Sequence, residues 1–153
     1  MNKPEFILIH CAATKEGADF SAADIDRWHR DCGFRCIGYH YVVRLDGSYQ
    51  RGRQDLDEGA HCPQESMNRR SVAICYVGRL DAKGNPKDTR TEAQKRTIIT
   101  LIRTLRGRYG NLPVMGHRDV KGVAKACPCF DAVKEHALNP THTHSLSSIR
   151  AGR

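Results

Sequence analysis

The sequence lacks any run of about eighteen or more apolar residues, so a transmembrane helix is excluded by length alone. The N-terminal residues contain one short apolar stretch with no small-residue cleavage site behind it, which indicates a buried strand and not a signal peptide. No internal repeat is visible. We therefore expect a protein that is cytoplasmic as synthesised, with no membrane partner.

An even number of cysteines is also lacking, because the count is seven and at least one thiol must stay unpaired. Without a secretory signal, reduced thiols are favoured over a disulfide framework, and some of them could be metal ligands. The pair Cys32 and Cys36 could suggest a structural zinc site. Its partners would have to be Cys62 or Cys129, whose spacing does not support such a site.

Negative charge is in short supply, with 17 acidic against 25 basic residues and a formal net charge of +8. This excess favours an anionic partner, such as nucleic acid, a membrane surface or an acidic cell-wall polymer. Basic residues are frequent between Lys95 and Arg108, but no aromatic residues alternate with them and no recognition motif is present. A solvated helix face is the simpler interpretation, so nucleic acid is not the favoured partner.

The length of 153 residues and the hydrophobic content of 39% fit one soluble domain. Hydrophobic periodicity and turn signals predict the order β-α-β-β-β-α-β, and therefore a single α/β domain with a central mixed sheet flanked by helices. We place this domain at residues 1–138. Ser, Thr and His dominate from Asn139 onward, so 139–153 is predicted to be a flexible tail.

Local signals predict the boundaries of these elements. Ser21 and Thr91 each begin a capping box before a helix, with Trp28 packing the first helix into the core. Asp46-Gly47 predicts a hairpin turn. The predicted elements are a strand at 5–12, a helix from Ser21 to Gly33, a hairpin around Asp46-Gly47, a strand at 71–78, a helix from Thr91 to Gly110 and a strand at 112–117.

Three residues have side chains suited to binding a metal ion. His10 lies within the first strand, His117 directly follows the last strand, and Cys127 follows ten residues later. Two imidazoles and one thiolate would supply three ligands to Zn²⁺, leaving the fourth position open as in a catalytic site. Taken alone, His10 is more often a hydrogen-bonded core histidine, His117 an ordinary loop histidine and Cys127 a small buried residue. The spacing of the three residues in the sequence does not bring them together.

A wider pattern links these residues. The sequence resembles the zinc-dependent N-acetylmuramoyl-L-alanine amidases of type 2, especially the small amidase-type phage lysozymes, whose fold is shared by peptidoglycan recognition proteins. The resemblance covers about residues 5–136, in family order. It is carried by Ile9–Thr14, Trp28-His29, Gly38–Tyr41, Asp46-Gly47, Gly59–His61, Asn68 with Ser71-Val72, Gly116–Asp119 and Lys125–Pro128.

The resemblance implies that His10, His117 and Cys127 bind one catalytic zinc ion, in a groove at one face of the sheet. It also implies that Tyr39 and Lys125 are catalytic, through proton relay by a phenol and charge stabilisation by an ammonium. Tyr39 as a core aromatic and Lys125 as a surface charge remain the alternatives.

Further residues fall near the implied substrate site. His61 matches a histidine that lines the family's substrate groove, with a structural loop role as the alternative. Arg79 departs from the glycine of many relatives and could contact a stem-peptide carboxylate or be a solvated surface charge. Cys129 is a second departure from the family pattern, and we retain Cys127, not Cys129, as the expected zinc ligand. Asn68 is expected to shape a turn.

The implied activity is hydrolysis of the amide between N-acetylmuramic acid and L-alanine in peptidoglycan or muropeptides. The enzyme would act on the cell wall after release or delivery, or on recycled fragments, and we expect a monomer. The alternative is a non-catalytic module of the same fold that binds peptidoglycan or another protein. The presence of Cys127 favours catalysis, because members of this fold that lose the cysteine are recognition proteins.

Overall fold

The computed structural model describes Met1 and residues 3–138, so the predicted tail at 139–153 lies outside the described residues. Within that part of the chain there are seven strands and four helices, with single 3-10 turns at Gln64–Ser66 and His117–Asp119. The strands are β1 (Phe6–Cys11), β2 (Thr14–Lys15), β3 (Tyr41–Val43), β4 (Tyr49–Arg51), β5 (Ser71–Tyr76), β6 (Arg79–Leu80) and β7 (Val114–Gly116). The helices are α1 (Ala22–Asp31), α2 (Met67–Arg70), α3 (Glu92–Tyr109) and α4 (Ala132–Glu135).

Five strands form the central sheet, in the order β4-β3-β5-β1-β7. Strand β4 runs antiparallel to β3, while the pairs β3-β5, β5-β1 and β1-β7 are parallel. The sheet is therefore mixed, which confirms the predicted α/β class. A small separate pair, β2 with β6, was not predicted because two-residue strands carry no periodicity.

The hairpin turn between β3 and β4 forms where it was predicted. Gly47 has φ +85°, a conformation that glycine adopts without steric cost. The Asp46 carboxylate accepts a hydrogen bond of 2.8 Å from the Ser48 amide and orders the turn. Local chemistry alone thus sets the register of the sheet's edge strand.

Both long helices begin at the predicted capping boxes. The Ser21 hydroxyl accepts from the Asp24 amide at 3.1 Å, and the Asp24 carboxylate accepts from the Ser21 amide at 2.9 Å. Thr91 and Gln94 make the equivalent pair of bonds at 3.0 and 2.9 Å. These bonds satisfy amide groups that have no acceptor within the helix, and so fix where each helix starts.

The two faces of the sheet bury different helices. Strand β1 directs Ile7, Ile9 and Cys11 toward α3, whose Ile98, Leu101, Ile102 and Leu105 complete that core. Leu8 packs on the opposite face with Met67 and Val120. Helix α1 covers the rest of that face through buried Ile25 and partly buried Trp28. His10 alternates with Ile9 and Cys11 along β1, so it belongs to the face opposite α3.

None of the helices within the described residues is long and apolar enough to cross a membrane.

Candidate active site

Sheet register brings the two candidate histidine ligands together. Ile9 of β1 pairs with Gly116 of β7, so the next residues, His10 and His117, stand at the same level on neighbouring parallel strands. Their ring centroids are 4.5 Å apart. Residues 107 positions apart in the sequence thus become neighbours at the carboxyl ends of these two strands.

Cys127 reaches the same place from the loop before α4. The Cys11 amide donates to Cys127 Sγ at 3.2 Å, and the Arg118 amide donates to the Cys127 carbonyl at 2.7 Å. Gly116 permits this approach, because a Cβ there would lie 2.6 Å from Pro128 Cδ. The loop is therefore held against the ends of β1 and β7 by backbone bonds and close packing.

The ligand atoms of His10, His117 and Cys127 all lie within 4.8 Å of one another, and the three residues are 1%, 8% and 4% exposed. The contact with Cys11 and the neighbouring imidazoles lower the pKa of Cys127, while burial lowers the pKa of His10. Thiolate and neutral imidazole are the forms that bind metals. This group could hold a metal ion.

Cys129, the other cysteine in the same loop, is not part of this group. Its side chain lies beside Cys11 and Arg79 instead, and burial raises its pKa. A thiol that keeps its proton is a poor metal ligand. The geometry therefore brings Cys127, and not Cys129, to the two histidines.

A groove of about 220 Å³ opens in front of the three donors. The other four residues singled out in the sequence, Tyr39, His61, Arg79 and Lys125, all line it. The three donor residues and Cys11 also line it, and the remaining lining residues are Ala12, Ala13, His29, Phe34 and Ala60. Residues scattered over more than a hundred positions of sequence thus share one cavity.

Tyr39 precedes β3 and its ring centroid lies 5.1 Å from that of His10. Burial raises the pKa of its phenol well above the usual value, so the hydroxyl keeps its proton at neutral pH. Lys125 lies two residues before Cys127, with an exposed side chain that borders the groove. The groove therefore combines a phenol donor with a cation.

His61 lies in the loop between β4 and α2. Its Nδ1 is 2.9 Å from His10 Nε2, and burial lowers its pKa well below the usual value. Asn68 shapes this loop as expected, since its side-chain oxygen accepts from the amides of His61 and Cys62 at 2.7 and 2.8 Å. The loop therefore presents the His61 ring to the candidate metal ligand His10.

The N-acetylmuramoyl-L-alanine amidase model, Amidase_2, matches residues 1–130, which include all seven of these groove residues. The chain belongs to this family. It is 39% identical over 125 residues to an endolysin of Klebsiella phage KP32, covering 82% of this chain and 80% of that protein. An endolysin of Escherichia phage T7 is 34% identical over 125 residues, with the same coverage of both chains.

Solved structures show the same fold in this family. The amidase LysC from Clostridium intestinale superposes with a TM-score of 0.71 at 27% identity, covering 87% of this chain and 81% of that chain. The Drosophila recognition protein PGRP-LB gives a TM-score of 0.70 at 22% identity, covering 90% and 82%. That second likeness concerns the fold alone.

Sequence reasoning assigned no role to His29 or Phe34, yet both line the groove. His29 Nδ1 accepts from the Gly38 amide at 2.9 Å, so its Nε2 carries the ring proton. The available signal was the Trp28-His29 dipeptide, which formed part of the family pattern. Periodicity could not separate His29 from its helix neighbours, because it borders both the core and the groove.

Proposed function

We propose that this chain is a zinc-dependent amidase that hydrolyses the bond between the lactyl group of N-acetylmuramic acid and L-alanine in peptidoglycan. The observation that carries the proposal is the convergence of His10, His117 and Cys127 with Tyr39 and Lys125 in one groove. Family membership supports the reaction, and the amidase domain is proposed to span residues 1–138.

The donor set fits zinc. Two nitrogen donors and one sulfur donor suit a borderline-soft ion, and three protein ligands leave a tetrahedral site with one open position. When bound, zinc would supply a Lewis acid that polarises a carbonyl and makes water more acidic. His10, His117 and Cys127 would hold it, with Cys127 as thiolate.

Tyr39 and Lys125 act on the charge that develops during amide cleavage. The protonated Tyr39 hydroxyl donates a hydrogen bond toward the carbonyl oxygen as negative charge accumulates there. The Lys125 ammonium stabilises the same charge from the rim of the groove. Tyr39 can also pass a proton through water to the leaving amine of L-alanine.

Arg79 is the residue we propose to bind the stem peptide, alongside His61 in the same groove. Arg79 is half-buried and lines the groove, so its guanidinium can present N–H donors there. A stem-peptide carboxylate would accept charge-assisted hydrogen bonds from it. Muropeptides and intact peptidoglycan both carry such carboxylates.

Several relatives of this chain are endolysins, which supports a proposal about where the enzyme is made and where it acts. We propose that the enzyme is made in the cytoplasm and acts on the wall after release or delivery, or on recycled fragments. We also propose that the enzyme is a monomer.

The test is release of new N-terminal L-alanine from purified peptidoglycan and from soluble muropeptides. The zinc-loaded protein is compared with a chelated sample and with His117→Ala. Signal from the zinc-loaded wild type alone supports a zinc amidase with His117 as a ligand. New reducing sugar ends would instead mean a glycosidase. No release by a folded, zinc-loaded chain would favour the non-catalytic binding module.

A further inference from the structure

His61 makes a direct hydrogen bond to a candidate metal ligand, which a residue that only lines a groove does not need. Its Nδ1 lies 2.9 Å from His10 Nε2, and the two rings meet edge to face with centroids 4.9 Å apart. With both rings neutral, one nitrogen of this pair must carry the proton and the other must accept it.

Ser71, the first residue of β5, determines the direction of that bond. Its hydroxyl lies 2.7 Å from the Met67 carbonyl, which can only accept, so the single hydroxyl proton points there. Toward His61 Nε2, at 3.5 Å, Ser71 Oγ is then an acceptor. His61 therefore carries its proton on Nε2 and presents an unprotonated Nδ1 to His10.

The unprotonated Nδ1 of His61 determines which nitrogen of His10 carries the proton. Its Nε2 must donate to His61, so its proton resides there and its Nδ1 is left with a free electron pair. A ring nitrogen with a free pair is the one that can bind a metal ion. The chain from Met67 through Ser71 and His61 thus selects which nitrogen of His10 is the ligand.

The loop is built to keep the His61 ring in this position. Asn68 fixes the backbone through the His61 amide, as described above. Gly59 leaves the space that the ring occupies, because a Cβ at that position would lie 2.5 Å from His61 Cδ2. Both the backbone and the ring plane of His61 are therefore constrained from outside the substrate groove.

We propose that His61 is a positioning residue that acts through His10, fixing the tautomer and ring orientation of this metal ligand. The role differs from substrate contact and rests on the proposed zinc site. Partners of metal-bound histidines typically change metal affinity by about 10–100-fold when they are removed. Loss of the His61 acceptor should therefore weaken metal binding itself.

The experiment measures the dissociation constant for Zn²⁺ of the purified apo full-length chain, by competition with a chromogenic chelator. His61→Leu should weaken affinity about 10–100-fold. His61→Asn places an amide oxygen near the position of Nδ1 and should restore most of it. His61→Gln carries its oxygen one bond farther out and should not. His29→Asn is the matched control, since it keeps an acceptor for Gly38 and does not touch His10, and its affinity should match wild type.

Absorption of the Co²⁺-loaded proteins gives a second readout, because its ligand-field bands report geometry at the metal. The spectrum should shift in His61→Gln and remain close to wild type in His61→Asn. If His61→Leu does not fold, the comparison of Asn with Gln decides the matter. Wild-type Zn²⁺ affinity in His61→Gln, with only a raised KM for muropeptide, would overturn the proposal and return His61 to substrate binding. If the wild-type chain binds zinc but releases no L-alanine, the proposed function fails while the role of His61 is still measured.

Discussion

Asp55 is a single carboxylate that joins three elements of the fold. It accepts hydrogen bonds from Tyr41 at 2.6 Å, Arg51 at 2.8 Å, and Arg108 and Tyr109 at 2.9 Å, linking β3, β4 and α3. Burial alone would raise its pKa, but the bonds from Tyr41, Arg51 and Tyr109 lower it to about 2. The charged form is therefore stabilised by folding.

Replacing that carboxylate should destabilise the protein in a pH-dependent way. Asp55→Asn is expected to lower the free energy of unfolding at pH 7 by about 2 kcal/mol, since the negative charge is lost and the amide NH₂ that replaces one oxygen cannot accept from the donors facing it. Because the folded pKa lies below the unfolded value of about 4, this contribution is complete above pH 5 and is lost as pH falls toward 2.

Urea unfolding of both proteins from pH 7 to pH 2.5 measures the difference. Exposed Asp31→Asn should change stability by less than about 0.5 kcal/mol. A difference that persists undiminished at pH 2.5 would contradict this account.

Arg79 is the groove residue expected to recognise a carboxylate of the stem peptide. Arg79→Gln should reduce kcat/KM for a muropeptide with free stem carboxylates by about 10–100-fold, which corresponds to one charge-assisted hydrogen bond. The loss should be much smaller for the same substrate with its carboxylates amidated. Steady-state kinetics on the two substrates tests this, and equal losses on both would mean that Arg79 supports the groove without contacting a carboxylate.

At the scale of elements, helix α3 is tied to the sheet by a residue that hydrophobic periodicity overlooks. Gln94 is fully buried, and its side-chain amide donates to the carbonyls of Val43 and Val77 at 3.2 and 3.0 Å. The same side chain completes the capping box with Thr91. One residue thus begins the helix and fastens it to the ends of two strands.

Gln94→Glu separates these two roles. The carboxylate can still accept from the Thr91 amide, but it cannot donate to the two carbonyls, and a charge would be buried against them. We expect a loss of about 2 kcal/mol or more in the free energy of unfolding, measured by urea denaturation at pH 7. Arg96→Gln, on the exposed side of the same helix, should fall within about 0.5 kcal/mol of wild type. Wild-type stability in Gln94→Glu would show that the bonds to the strands contribute nothing.

The elements differ in how far the sequence predicts them, and the reason is the range of the interactions involved. The capping boxes at Ser21 and Thr91 and the turn at Asp46-Gly47 each depend on residues within four positions, so their signals are local. The contacts of Gln94 with Val43 and Val77 span 51 and 17 residues, and no periodicity marks them. The pair β2-β6 has two residues on each strand and is equally invisible.

In the molecule as a whole, the residues of the candidate site carry local sequence signals, but their assembly into one site depends on long-range contacts. The alternation of side chains along β1 sets which face His10 occupies, but the meeting of His10, His117 and Cys127 depends on the β1-β7 register and on a loop held by the Cys11 amide. Only the family pattern linked the three in advance. The bond between His10 and His61 was not predicted at all, because it joins a strand to an irregular loop 51 residues away.

The net charge of +8 is a property of the whole surface, and it should control how the protein meets an extended anionic substrate. Exposed arginines of α3, such as Arg96 and Arg103, lie on the helix that covers the face of the sheet opposite His10, so they can attract a wall without touching the scissile bond. Salt screens such attraction, because the Debye length falls from about 10 Å at 0.1 M to about 3 Å at 1 M.

We therefore expect the rate on intact peptidoglycan sacculi to fall by roughly tenfold between 0.05 and 0.5 M salt, while the rate on a small soluble muropeptide changes much less. The double variant Arg96→Gln/Arg103→Gln should flatten the salt dependence on sacculi and leave the muropeptide rate unchanged. Release of L-alanine from both substrates across a salt series measures this. Equal fractional losses on the two substrates would mean that salt acts at the groove itself. Only the sacculus carries enough charge to be attracted by arginines that lie far from the groove.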